Sequence, residues 1–89
     1  MSEVSPRYAY FYLMRDEPDR VHAIVPEHVS HWRGVELKAY LGGPFADHSG
    51  GLITFEADDV AKAAEMVGAD PFVTEGLLGW YWLKEWIPE

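Results

Sequence analysis

The stretch Tyr8-Ala9-Tyr10-Phe11-Tyr12-Leu13-Met14 is aromatic or apolar at all seven positions. A strand with one wet face alternates between apolar and polar residues. This run does not, and its β-forming residues predict a strand covered on both sides. One side, Tyr8, Tyr10, Tyr12 and Met14, and the other, Ala9, Phe11 and Leu13, both have to be packed against something.

Downstream, Arg15 to Val21 breaks the pattern with charge and Pro18. Pro26, followed by Glu27-His28-Val29-Ser30-His31-Trp32-Arg33, stands where a first helical turn tolerates a missing N–H, which predicts a helix from about Pro26 to Arg33. Gly34 can end it. Val35 to Leu41 then alternates, with Val35, Leu37, Ala39 and Leu41 on one side and Glu36, Lys38 and Tyr40 on the other, as in a half-exposed second strand. Gly42 to Gly51, GGPFADHSGG, reads as a loop and Gly51 to Ala57 as a third strand. Asp58 or Asp59 is a ready N-cap for a helix that puts Val60, Ala63, Ala64 and Val67 on one face and stops at Gly68. Ala69 to Gly79 is a loop or a single helical turn. The aromatic run Trp80 to Ile87 is the last strand, with Trp80, Trp82 and Trp86 against Tyr81, Leu83 and Ile87.

The order β-α-β-β-α-β is the split βαβ, ferredoxin-like α+β arrangement, a four-stranded antiparallel sheet with both helices on one face. Two helices cover one face only. The first and last strands are aromatic on both sides, and an uncovered face of that kind would form a patch larger than monomers usually tolerate. A homodimer pairing these sheet faces is expected.

Length and charge bound the rest. The 89 residues fit one domain spanning 1–89, with an ordered core of about 8–87. Fifteen Asp plus Glu against seven Lys plus Arg give a net charge of −8, and the basic residues stand singly. Neither a nucleic acid nor an anionic membrane surface fits that pattern. There is no apolar run of membrane-spanning length and no signal-peptide start, which predicts a soluble, cytoplasmic protein. Without cysteine, a disulfide framework, a thiol nucleophile and cysteine-based metal centres are excluded.

His22, His28, His31 and His48 are the side chains that titrate nearest neutrality. His28 and His31 are three apart on a predicted helix, a spacing metal ligands use, yet no zinc motif accompanies them and no metal is expected. The glycine loop lacks the patterns of nucleotide sites, and Ser49 lacks a nucleophile elbow. Asp70, before Pro71, can cap a turn, and spacing alone does not bring it to His28.

Taken together, Pro26-Glu-His-Val-Ser-His-Trp-Arg-Gly34, then Leu41-Gly-Gly-Pro-Phe-Ala-Asp-His-Ser-Gly-Gly-Leu52, then Ala69-Asp-Pro-Phe-Val-Thr-Glu-Gly-Leu-Leu78 and an aromatic final strand resemble the YCII-related family over nearly the whole chain. The resemblance implies a ferredoxin-like protomer dimerising through its sheet as a dimeric α/β barrel. It also implies a pocket that pairs the first-helix histidine, His28, with the aspartate of the Asp-Pro-aromatic motif, Asp70. It places Gly43 and Pro44, then Asp47, Ser49, Gly50 and Gly51, and Phe72 around a small-molecule ligand. Arg15, Arg33 or a loop N–H is left to meet an anionic ligand. The activity implied is that of a lyase or isomerase without a cofactor, moving a proton on a small cyclic or aromatic compound through a His-Asp dyad. The competing class is a non-catalytic dimer that binds a small ligand or accompanies a larger enzyme.

Overall fold

The computed structural model describes residues 5–35 and 37–89. Their elements are β1 (Arg7–Met14), α1 (Pro18–Gly34), β2 (Leu41–Pro44), β3 (Gly50–Glu56), α2 (Val60–Gly68), a single turn α3 (Pro71–Thr74) and β4 (Leu78–Trp86). The sheet is antiparallel in the order β2-β3-β1-β4, so β1, the strand without a wet side, is central. This is the expected ferredoxin-like α+β fold.

Register assigns the two faces, because directly paired residues share a side. Tyr8, Tyr10 and Tyr12 stand opposite Phe55, Ile53 and Gly51 of β3 and Glu85, Leu83 and Tyr81 of β4, and this face meets the helices. Tyr8, Tyr10, Ile53 and Phe55 are fully buried there with Trp32, Val67, Phe72 and Leu77. Phe11 and Leu13 stand opposite Trp82 and Trp80 on the other face, which no helix of the described residues covers. On that face Phe11 stacks on Trp82 at 5.2 Å between ring centroids and 18° between planes, and Trp80 remains 49% exposed. The alternation read for the last strand holds, except that Ile87 lies beyond the strand and is 81% exposed.

Two expected boundaries are corrected. Helix α1 begins at Pro18, eight residues before the predicted start, and carries Pro26 in its interior. Pro18 occupies the first turn, where no hydrogen bond is lost, while Pro26 withholds one from the His22 carbonyl at a cost of about 3 kcal/mol. Burial of Trp32 and His28 on the same helix offsets that cost. The second correction concerns the strand predicted over Val35 to Leu41, of which only Leu41 is in a strand among the described residues. Val35 ends α1, and Ala39 turns the chain with φ 54°. Tyr40 leans back so that its hydroxyl lies over Gly42, where a Cβ would come within 2.7 Å of it. The strand is Leu41–Pro44, which shares only Leu41 with the predicted strand and otherwise lies in the segment read as a loop, and Glu36 lies outside the described residues. An edge strand tolerates the Gly-Gly-Pro composition because one side of it needs no ladder partner.

The loop reading holds only for residues 45–49. Phe45 N–H donates to the Gly50 carbonyl at 2.8 Å and His48 N–H to the Phe45 carbonyl at 2.9 Å, which closes the hairpin. Gly50 and Gly51 already belong to β3. A Cβ on Gly50 would run into the Tyr12 carbonyl and one on Gly51 into the Tyr12 phenol, so both glycines allow β1 and its Tyr12 ring to lie close. Helix α2 begins as expected, with Asp59 accepting from Lys62 N–H at 2.8 Å.

Candidate active site

Asp70 is the centre of the site and is fully buried. After Gly68 ends α2, Asp70 N–H donates to the Val67 carbonyl, and Asp70 is extended before Pro71 starts the α3 turn. That conformation points its carboxylate inward as the cap of α3. Oδ1 accepts from Phe72 N–H at 2.9 Å and from His28 Nδ1 at 2.8 Å. Oδ2 accepts from the Tyr10 hydroxyl at 3.0 Å and the Trp32 indole N–H at 3.1 Å.

Four donors thus share one negative charge. Burial pushes the Asp70 carboxyl upward, but the His28 hydrogen bond and charge, the Phe72 N–H and the Trp32 indole outweigh it and hold the carboxyl below its usual range. The same burial, reinforced by the Asp70 charge, pushes the phenols of Tyr10 and Tyr12 far above theirs, so both stay protonated donors.

An ionised carboxylate only accepts, so the proton in the His28–Asp70 bond sits on Nδ1. In the neutral imidazole Nε2 then carries the lone pair. Among the described residues nothing hydrogen-bonds Nε2. The ring is held by stacking on Phe72, at 4.0 Å between centroids and 13° between planes, and by an edge contact with Tyr12 at 5.8 Å. His28 lines a cavity of about 540 Å³ between α1 and the β2–β3 edge of the sheet. Val21, Val25 and Val29 of α1 form its apolar wall, opposite Ile53 and the backbone of β2.

The sequence-predicted residues divide. Gly43, Pro44, Gly50, Phe72 and His28 line the cavity, with Asp70 directly behind His28. Gly51 lies under Tyr12. Asp47 and Ser49 form a turn of their own, Ser49 N–H donating to Asp47 Oδ1 at 3.0 Å. Ser49 borders a neighbouring cavity of about 460 Å³, and Asp47 lines neither. His31 turns away from His28 and bonds the Met66 carbonyl at 2.9 Å. Among the described residues no three metal-ligating side chains gather. Sequence reasoning missed Tyr10 and Trp32 as partners of Asp70. Trp32 had a signal, since it follows His28 by four residues and shares its helix face. Tyr10 had none, because every second residue of β1 looks alike.

Residues 8–87 match the sequence pattern of the YCII-related domain. The chain belongs to this family. The chain is similar to the uncharacterised protein YjpA of Bacillus subtilis (strain 168), 41% identical over 51 residues, which are 57% of this chain and 59% of YjpA. The alignment therefore spans somewhat over half of that protein. The fold is similar to that of 5-chloro-2-hydroxyhydroquinone dehydrochlorinase from Burkholderia phenoliruptrix AC1100, solved in complex with 2,5-dihydroxybenzoquinone. The TM-score is 0.79 at 20% sequence identity, covering 91% of this chain and 93% of the other. No helix of the described residues is long and apolar enough to cross a membrane.

Proposed function

We propose that the protein is a cofactor-independent lyase or isomerase in which His28 is the general base and Asp70 its positioning partner. The observation that carries this reading is the 2.8 Å bond between His28 Nδ1 and Asp70, which leaves Nε2 as a free lone pair on the wall of an apolar cavity. Nε2 takes a proton from a ring carbon or hydroxyl. The electrons of the broken bond form a new π bond, and a leaving group on the ring departs with its own electron pair. Asp70 stabilises the imidazolium, which afterwards gives up its proton to product or solvent. Such a base is worth about 10²–10⁴-fold in rate. The step needs no cofactor. The fold neighbour that acts on a chlorinated hydroquinone supports a small ring as substrate class.

The working unit of this reading is a homodimer formed through the open sheet face. Its support is the uncovered cluster of Phe11, Phe45, Trp80 and Trp82, whose rings lie 5.2–6.2 Å apart.

Chloride release from 5-chloro-2-hydroxyhydroquinone and related halogenated hydroxylated rings tests the activity. Turnover by the wild type that falls by about 10²-fold or more in His28→Ala is the expected result. Unchanged turnover in His28→Ala removes the dyad from the chemistry. Ligand binding without turnover across the series supports the second reading, a binding module.

A further inference from the structure

The wall of the cavity is unlike the rest of the molecule in charge. The chain carries 15 Asp plus Glu, yet among the described residues none of them lines this cavity. Arg33, His22, His28 and His48 do, together with the hydroxyl-bearing Tyr12 and Tyr40. Asp70, fully buried behind His28 with four donors on its carboxylate, still projects its charge on the cavity, where it helps push the phenols of Tyr12 and Tyr40 up, so an anion there needs a fixed positive charge to meet it.

A protein of net charge −8 repels anions at long range, so a fixed positive charge beside hydrogen-bond donors is the feature that would hold one. Arg33 is the group of fixed charge in it. It stands five residues after His28 on α1, about 7.5 Å further along the helix axis. A single ring bridges that separation, with Val29, which lies between the two along α1, beside it. Tyr40 is close enough to feel Arg33: burial and the Asp70 charge push its phenol up while the guanidinium pulls it back.

We propose that Arg33 is the anion-binding residue of this cavity and that its ligand is a flat ring bearing one oxyanion, a phenolate, enolate or carboxylate. The oxyanion sits at Arg33 and the ring lies against Val29, its reacting edge toward His28 Nε2. The orientation rests on the reading of His28 as the base, whereas the binding does not depend on turnover. The substrate therefore arrives already ionised at one oxygen. The proton His28 removes is a different one, on a ring carbon or a second hydroxyl.

Benzoate, 4-nitrophenolate and the neutral isostere benzamide are the probes, measured on the full chain by calorimetry and by amide NMR shifts. The expected result is that both anions bind at the cavity residues and benzamide binds about tenfold or more weakly. Arg33→Gln should weaken benzoate by about tenfold or more without changing benzamide, and Arg33→Lys should recover part of the loss. Arg33 is exposed, and a thermal melt of each variant checks its fold; Arg33→Met is the alternative if Arg33→Gln unfolds. Equal binding of benzoate and benzamide, benzoate binding by Arg33→Gln at wild-type strength, or no binding of either anion at about 10 mM overturns the assignment. His28→Ala separates it from the catalytic reading. Benzoate binding retained with turnover lost supports both, and a wild type that binds benzoate but turns over no ring keeps the anion site and discards the base.

Discussion

Asp70→Asn exchanges one atom for another of nearly the same size, and the structure shows why it should be costly. All four groups on the carboxylate are donors: His28 Nδ1–H, Phe72 N–H, the Tyr10 hydroxyl and the Trp32 indole. An asparagine brings one accepting oxygen and an NH₂ group that must itself donate. With its oxygen toward His28 and Phe72, the NH₂ faces Tyr10, which can turn round and accept, and Trp32, which cannot. With the oxygen toward Tyr10 and Trp32, the NH₂ faces Phe72 N–H, which cannot accept, and His28, which can do so only by moving its proton to Nε2. Each orientation leaves one buried N–H unpaired, at about 1–3 kcal/mol. Each also replaces charge-assisted bonds of about 1.5–3 kcal/mol with neutral ones of about 0.5–1.5. The expected loss is about 3–5 kcal/mol, the range for breaking a buried ion pair.

A chain of this length has about 4–13 kcal/mol in all. The variant should stay folded in the cold, and its urea midpoint should fall by about 1 M or more. Equilibrium urea unfolding at neutral pH measures this, and the ¹⁵N shifts of the His28 ring report which nitrogen carries the proton. Asp47→Asn, in an exposed turn, is the control and should change stability by no more than about 0.5 kcal/mol. A loss below about 1 kcal/mol for Asp70→Asn, with the His28 tautomer unchanged, would refute the four-donor account.

Asp70 also sets a direction in pH. Its folded carboxyl lies below the unfolded value near 3.9, so its contribution is complete above about pH 4 and is lost as pH falls through the lower folded value. Acid unfolding of the wild type should steepen below about pH 4, and Asp70→Asn should show a slope about one proton shallower. For the open sheet face, sedimentation equilibrium of the wild type should give twice the chain mass of 10.1 kDa. Trp80→Glu, which changes a residue already 49% exposed in the protomer, should return the single mass without unfolding it. A monomeric wild type, or a dimeric Trp80→Glu, removes the sheet-face dimer.

Much of this protein is legible from neighbours in sequence. The unrelieved aromatic run Tyr8–Met14 marks the strand that lies between β3 and β4, because neither of its sides offers a polar position. The α2 helix is readable from Asp59 and a 3.6-residue apolar period, since capping and amphipathicity are local. The site residues His28 and Asp70 were legible only through the family resemblance carried by their motifs. The beginning of α1 and the place of β2 were not legible, because tertiary packing overrode local preference at both. Pro18 looks like a break and Pro26 like the start of the helix until one helix is seen to run through both and to bury His28 and Trp32. Gly42–Pro44 looks like a loop until β3 is seen to need an edge partner and Tyr40 to need Gly42. Tertiary structure alone decided that Tyr10, His28 and Trp32, which are 60, 42 and 38 residues from Asp70, meet on one carboxylate. Spacing along a chain encodes what one element presents to its surroundings. The convergence of donors on a buried charge depends on how several elements pack, and no period in the sequence carries it.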